Sequence, residues 1–205
     1  MITIHHLRVG RSIFTVWLLE ELGLEYQVKE YHRNPQTMRA PPELKEVHPL
    51  GKSPVIEDGD TVLTESGAIA AYLIDNYDGE GLLAPSRDDN ASWARYLQWL
   101  HYPEGSMMLG LLISMLLKRG QQANAFLEGF SRGEIELHLS YITGELGNRQ
   151  YILGDNFSGA DICLSCALNL ARKFGVLGSY PELSAYLERT MTRPAFQRAV
   201  DRVTE

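Results

Sequence analysis

Glu65 and Ser66 put an acid and a hydroxyl side by side where a helix is expected to start. A carboxylate there can accept hydrogen bonds from an ammonium, while the hydroxyl and the first helical amides can hold a carboxylate. The pair suits the zwitterionic end of an α-amino acid. Helix capping alone also accounts for it, since Thr64, Glu65 and Ser66 all suit a first turn. Upstream, His48-Pro49-Leu50-Gly51-Lys52-Ser53-Pro54-Val55-Ile56 brings an X-Pro bond into a strand. Such a proline is usually a trans residue at a strand edge. A cis Pro54 would instead turn the main chain of Ser53 outward, free to pair with a peptide as an added strand would. Gly51 and Lys52 supply a flexible turn and a cation. The third set is the loop from His5 to Ser12, which joins the expected first strand to the first helix. Ligands of open α/β sheets bind at such junctions. The loop amides and the Ser12 hydroxyl could stabilise a thiolate there. An N-cap is the alternative role for Ser12. His5 and His6 face opposite sides of a strand and make a poor metal pair.

The elements that must position these residues are legible in outline. Ile2 and Ile4 suggest a strand. Ser12 to Leu22 reads as a helix with Gly23 as its stop. Tyr26 and Val28 alternate with polar residues as in a second strand. Asn34 to Val47 carries Pro35, Pro41 and Pro42 and is expected to be a loop or an irregular helix. Two short apolar runs flank Asp58-Gly59, a hairpin signal. That hairpin would lay Ser53-Pro54 beside Glu65-Ser66. Glu65 to Tyr77 reads as a helix with Ile69, Tyr72 and Leu73 on one face. The order β-α-β then β-β-α makes a small mixed sheet with helices packed on it.

Strand signals fade after Asp88. Trp93, Tyr96, Leu97 and Leu100 have helical spacing, as do Met107, Met108, Leu111, Leu112 and Met115. Pro103 between them is expected to kink or split that helix. Ile135, Leu139, Ile142 and Leu146 mark another helix. Ser158 opens a further one, with Asp161 three residues on as a capping box. Pro181 and Pro194 each suit a first turn. The expected organisation is an α/β domain over residues 1–80, a linker over 81–90 and an all-α domain over 91–205.

With 205 residues the chain is long enough to bury a sizeable core. Its net charge of -7 argues against a nucleic-acid or anionic-membrane surface. No apolar run is long enough to span a bilayer. The opening residues lack a basic stretch followed by an apolar one, so no secretory signal is expected. Cys163 and Cys166 have C-x-x-C spacing, but both fall inside the helix opened by Ser158. They continue its apolar rows, which makes them buried, inert thiols. Zinc would need two more ligands, and no second pair sits nearby, so no metal is expected. A reducing cytoplasm is the expected compartment.

Four segments in order resemble the glutathione S-transferases. They are Trp17-Leu18-Leu19-Glu20-Glu21-Leu22-Gly23, His48 to Val55, Glu65-Ser66-Gly67-Ala68-Ile69, and Gly154-Asp155-Asn156-Phe157-Ser158-Gly159-Ala160-Asp161-Ile162. The resemblance covers nearly the whole chain and is nearest to bacterial and fungal members. It implies a thioredoxin-like first domain and a helical second one. It implies glutathione as co-substrate, without a metal, and a homodimer. It gives Pro54 the role of a cis-proline and Ser53 that of the cysteinyl contact. Lys52 becomes a ligand for the glycine carboxylate, and Glu65 and Ser66 the γ-glutamyl clamp. Arg11, in the neighbouring loop, joins the glutathione-binding set. Relatives often read Ser-Arg-Ser where this chain has Gly10-Arg11-Ser12, which leaves Ser12 as the loop's hydroxyl. The tyrosine used by other classes falls near His5. Ser12 and His5 are therefore the expected catalytic groups. The reaction implied is attack by the glutathione thiolate on a small hydrophobic electrophile. Tyr102, Met107 and Met108, near Pro103, are the expected walls of its pocket, with core packing the alternative for the methionines. A non-enzymatic binding module, or a glutathione-dependent peroxidase or isomerase, stays open beside this reading.

Overall fold

The computed structural model describes residues 1–120 and 123–203. Strand β1 (Ile2–Leu7) is buried along nearly its whole length, as a strand covered on both faces must be. It pairs in parallel with β2 (Tyr26–Tyr31) and antiparallel with β3 (Val55–Asp58). β3 pairs antiparallel with β4 (Thr61–Thr64), giving the order β2-β1-β3-β4. A parallel pair needs a crossover. Helix α1 (Ser12–Glu21) supplies it and is buried continuously from Ser12 to Leu19. Helix α2 (Leu44–Val47) is a short piece within the proline-rich stretch. Helix α3 (Ser66–Tyr77) follows β4 and buries Ile69, Ala70, Leu73 and Ile74. This is the expected thioredoxin-like arrangement.

Two local details differ from expectation. Asp58 ends β3 opposite Thr61, so the turn residues are Gly59 and Asp60. Gly59 has φ 57, the left-handed geometry that a two-residue hairpin loop requires. Tyr72 lies off the buried face of α3, and its hydroxyl donates to Asp58 Oδ2 at 2.9 Å.

The chain divides into two compact units. One is Met1–Gly81 together with the chain from Thr192 onward; the other is Leu82–Met191. The second domain expected at 91–205 thus yields its last helix, α9, to the first unit; α9 spans Pro194–Arg202. The cause is specific pairing with α1. Phe196 meets Trp17 edge-on, with ring centroids 5.0 Å apart. Arg193 donates to both carboxylate oxygens of Glu21, at 2.6 and 2.8 Å. Arg198 Nε donates to Glu20 at 2.8 Å.

The second unit is helical: α4 (Asn90–Tyr102), α5 (Met108–Gly120), α6 (Ala125–Leu146), α7 (Gly159–Lys173) and α8 (Pro181–Met191). At Pro103 the chain neither stops nor breaks. A π turn over Pro103–Met107 joins α4 to α5. Proline cannot donate to the helical ladder, and a widened turn accommodates the interruption. The core gathers Tyr96, Trp99, Leu100, Leu139, Ile142, Leu164, Leu168, Leu183 and Leu187. Among the described residues, no helix is long and apolar enough to cross a membrane.

The capping box at Ser158 forms as expected and anchors this core. Asp161 Oδ2 accepts from the Ser158 N–H at 2.9 Å and the Ser158 hydroxyl at 2.8 Å. Asp161 Oδ1 accepts from the Ile152 N–H at 2.9 Å and the Tyr186 hydroxyl at 2.7 Å. Burial pushes the Asp161 pKa up, and these donors oppose the shift. Cys163 lies on the same helix. Burial pushes its thiol up to about 12, so it packs as a small hydrophobe at neutral pH.

Replacing Asp161 with Ala strips a partner from each of those donors at once. Asp161→Ala is expected to lower stability by about 3–5 kcal/mol, because buried polar groups are left unpaired. Urea unfolding followed by far-ultraviolet dichroism measures it. A loss under about 1 kcal/mol would mean the network is redundant.

Candidate active site

Antiparallel register places the key segments together. Val55 is paired with Thr64 at the open end of the hairpin. The residues entering β3, Ser53 and Pro54, therefore run beside those leaving β4, Glu65 and Ser66. The Ser53–Pro54 bond is cis. Pairing of β1 with β3 ends at His5 and Val55. Beyond it the Ser53 side chain takes over from the ladder. Its hydroxyl donates to the His5 carbonyl at 2.8 Å and accepts from the Leu7 N–H at 3.3 Å. Among the described residues, neither the N–H nor the C=O of Ser53 has a main-chain partner. That is the open edge a peptide can pair with.

Glu65 is the N-cap residue of α3, yet its side chain makes no capping hydrogen bond. It holds φ 71 and ψ 117, a region that non-glycine residues rarely occupy. Strain of this kind persists only where the surroundings enforce it, and it clusters at ligand clamps. Capping therefore does not account for this acid. Glu65 is exposed and Ser66 half-buried at the positive end of a twelve-residue helix. Lys52 is exposed on the other side of Ser53.

The loop from Leu7 to Ser12 closes the same end of the sheet. Here the two expected catalytic groups need correction. Ser12 is fully buried. Its Oγ lies 3.0 Å from His6 Nδ1 and accepts from the Leu7 N–H at 3.2 Å. The hydroxyl is turned inward as a structural linker and is not presented to a ligand. His5 is only 1% exposed; its Nδ1 meets the Tyr31 hydroxyl at 2.9 Å and its Nε2 faces Glu57 at 3.4 Å. Burial lowers the His5 pKa against the pull of Glu57, which favours a neutral ring. Gly10 cannot replace them. A Cβ there would come within 2.6 Å of the Leu7 carbonyl oxygen. What remains at the loop surface is main chain at the N-terminus of α1, with half-buried Arg11 as its N-cap residue.

Sequence reasoning missed Arg33. Its guanidinium donates to the carbonyls of Arg8, Val9 and Met38 at 3.0–3.2 Å. The signal was hidden because Arg33 sits in an irregular stretch, and its partners are backbone atoms without a sequence signature.

The expected electrophile pocket in the second unit also needs correction. Met107 and Met108 are each 2% exposed and belong to the core. Core packing, the alternative open for both, accounts for their burial, and neither lies at an accessible wall. Tyr102 is half-buried, and its hydroxyl lies 2.6 Å from His138 Nδ1. Burial raises the Tyr102 pKa far above the ordinary phenol value, so it stays protonated. Among the described residues, no three metal-ligating side chains gather as a metal site.

The chain as a whole has relatives among known proteins. The family model for the glutathione S-transferase N-terminal domain matches residues 3–75, and that for the C-terminal domain matches residues 113–194. Glutathione S-transferase 1 of Saccharomyces cerevisiae is 32% identical, with 96% of this chain and 92% of that protein aligned. A crystal structure of a glutathione S-transferase from Actinobacillus pleuropneumoniae is 37% identical with a TM-score of 0.86, covering 98% of this chain and 92% of that one. A glutathione transferase family member from Pseudomonas fluorescens, solved with two glutathione bound, is 25% identical with a TM-score of 0.82, covering 97% of this chain and 92% of that one. On both domain matches and the identity shared with whole-length relatives, this chain belongs to the glutathione S-transferase family.

Proposed function

We propose that this transferase binds glutathione along Lys52, Ser53, Pro54, Glu65 and Ser66, and conjugates its thiolate to a small hydrophobic electrophile. One observation carries the reading: a strained, uncapped acid and a helix-terminal hydroxyl lie beside an unpaired strand edge. Glu65 accepts from the α-ammonium of the γ-glutamyl end. The Ser66 hydroxyl and the first amides of α3 hold its α-carboxylate. Ser53 N–H and C=O pair with the cysteinyl main chain, and Lys52 with the glycine carboxylate. The relative solved with glutathione supports this choice of ligand.

The cysteinyl thiol then faces the loop at the N-terminus of α1, where Arg11 adds positive charge. A free thiol titrates near 8.5, and a helix N-terminus with nearby cations lowers that by roughly one to two units. With the larger shift the thiolate is the major form at about pH 7; with the smaller it is about a quarter of the bound thiol. Its sulfur donates an electron pair to the electrophilic carbon, and the leaving group departs with its bonding pair. The chemistry needs reduced glutathione, which suits a reducing cytoplasm and the unpaired Cys163.

A second reading has its own support. No side-chain hydroxyl of the loop is exposed, since Ser12 is buried. A glutathione-binding module without turnover would need none. Turnover of 1-chloro-2,4-dinitrobenzene separates the two readings. Binding without turnover across an electrophile panel would favour the module.

Glu65→Ala leaves the ligand ammonium unpaired. It is expected to weaken glutathione binding by about 1.5–3 kcal/mol, the range for charge-assisted hydrogen bonds. Calorimetry giving an unchanged Kd would remove the clamp.

Ser12→Ala should act on stability and not on chemistry. It deprives Leu7 N–H and His6 of a buried partner, at a cost of about 1–2 kcal/mol. The ultraviolet titration of bound thiolate should keep its midpoint. A clear rise of that midpoint in a fully folded variant would restore Ser12 as the activating group.

A symmetric homodimer completes the proposal. Phe126, Phe130, Leu137 and Tyr141 form one exposed stripe along α6. A two-fold assembly would bury such a stripe twice. Stable dimers of this kind bury on the order of 2,000 Å² or more. Light scattering at micromolar concentration should give twice the chain mass; a clean monomer would reject the dimer and leave the site unaffected.

A further inference from the structure

The loop from Arg8 to Arg11 is held in a conformation that its own residues disfavour. Val9 has φ 56, although a β-branched side chain is among the least tolerant of left-handed geometry. Gly10 packs so closely on the end of β1 that no side chain fits there. Something outside the loop must enforce this shape.

Arg33 is that restraint. Its Nε donates to the carbonyls of Arg8 and Val9 at 3.1 and 3.2 Å. Its Nη2 donates to the Val9 carbonyl at 3.0 Å, and its Nη1 to the Met38 carbonyl at 3.0 Å. Met38 is also left-handed, at φ 57. One planar fork thus ties two strained turns together. Lysine cannot reproduce that geometry, because it offers a single point of charge.

The consequence follows from the planar trans peptide. A carbonyl drawn to one side sends the next residue's N–H to the other. Arg33 draws the Arg8 and Val9 carbonyls toward itself, so the N–H groups of Val9 and Gly10 point away from it. Among the described residues, neither N–H has a main-chain partner. Successive N–H groups around a left-handed residue form a small anion-binding concavity. It lies just before the N-terminus of α1, where the helix dipole adds to it.

We propose that Arg33 is the positioning residue for thiolate formation: by clamping the Arg8 and Val9 carbonyls, it aims the Val9 and Gly10 N–H groups at the glutathione sulfur. The inference rests on the reading that a glutathione thiol faces this loop. Arg33 does not touch the ligand itself. It replaces the side-chain hydroxyl that this loop does not expose.

The test compares wild type, Arg33→Ala and Arg33→Lys. Thiolate absorbance of bound glutathione is titrated against pH, Kd is measured by calorimetry, and hydrogen exchange is followed over residues 8–12. Arg33→Ala should raise the bound thiol pKa by about one unit and lower neutral-pH turnover about three- to eightfold, as the thiolate fraction falls. Turnover should recover at alkaline pH, and Kd should change less than about threefold, because the Glu65–Ser66 clamp is untouched. The Arg8 amide, which donates to the Tyr31 carbonyl at 3.0 Å, should exchange faster even without glutathione. Arg33→Lys keeps the charge but loses the fork, so it should recover only part of the effect; it also serves if Arg33→Ala does not fold. Faster exchange with an unmoved thiol pKa would overturn the proposal and leave Arg33 a purely structural tie. A Kd loss as large as that of Glu65→Ala would overturn it in favour of direct ligand contact. Wild-type protein without glutathione affinity would sink the underlying reading, whereas wild-type binding with an unmoved pKa in both variants sinks this inference alone.

Discussion

The Leu7 N–H is the point on which the active end of the first unit depends. It lies between two hydroxyls, with Ser12 Oγ at 3.2 Å and Ser53 Oγ at 3.3 Å. One belongs to the helix that closes the Leu7–Arg11 loop, the other to the segment that leads into β3. The central strand β1 therefore holds both segments through a single main-chain donor. Each hydroxyl has a second tie: Ser12 to His6, and Ser53 to the His5 carbonyl. All of these groups are buried or half-buried, so losing one leaves the others short of partners. Ser12 and Ser53 are consequently fixed as structure, and ligand recognition falls to the groups around them.

Those groups share a physical character: polar capacity that the protein's own hydrogen bonds leave unused. Glu65 opens a helix without capping it, and Ser53 ends a ladder with its own amide unpaired. Such arrangements weaken a free protein, since a capping contact is forgone and a rare backbone region is populated. A ligand carrying an ammonium, a carboxylate and an extended main chain, as proposed, would reverse that cost on binding. Strain at Val9 has the same logic, with Arg33 as its restraint. Stability comes from elsewhere, from the α9 clamp on α1 in one unit and the Asp161 network in the other.

Much of the framework was legible in the sequence because local rules govern it. Turn residues marked the hairpin, Gly23 marked the end of α1, and Ser158 with Asp161 marked the start of α7. The resemblance then identified the peptide-binding segments in order. What failed was non-local. The Arg193–Glu21 pair joins residues 172 positions apart, and nothing near Pro194 reveals that partner. The inward turn of Ser12 depends on His6 and Leu7 across a loop, so a hydroxyl at a helix start read as available. Helical spacing leaves Met107 and Met108 open to a pocket wall or to the core, and only the packed helices show that they belong to the core. Arg33 was invisible for a related reason: arginine bound to carbonyls depends on backbone path and not on residue type.

Gly10 shows how one position can redirect the chemistry. The Leu7 carbonyl oxygen stands 2.6 Å from where a Cβ at residue 10 would be. The main chain fills the space a side chain would occupy. Restoring a hydroxyl at residue 10 would therefore first push the loop away from β1, and with it the Val9 carbonyl that Arg33 holds. On the proposed reading, thiolate stabilisation by side chain and by main chain would be alternatives at this loop and not additive contributions. The close approach that excludes the serine is also what brings the Val9 and Gly10 amides next to the N-terminus of α1. A backbone donor costs no side-chain entropy to hold, provided that something fixes the backbone. In this chain the fixing element is a cation from a neighbouring loop, so the charge that orients the amides also adds to the potential favouring the anion.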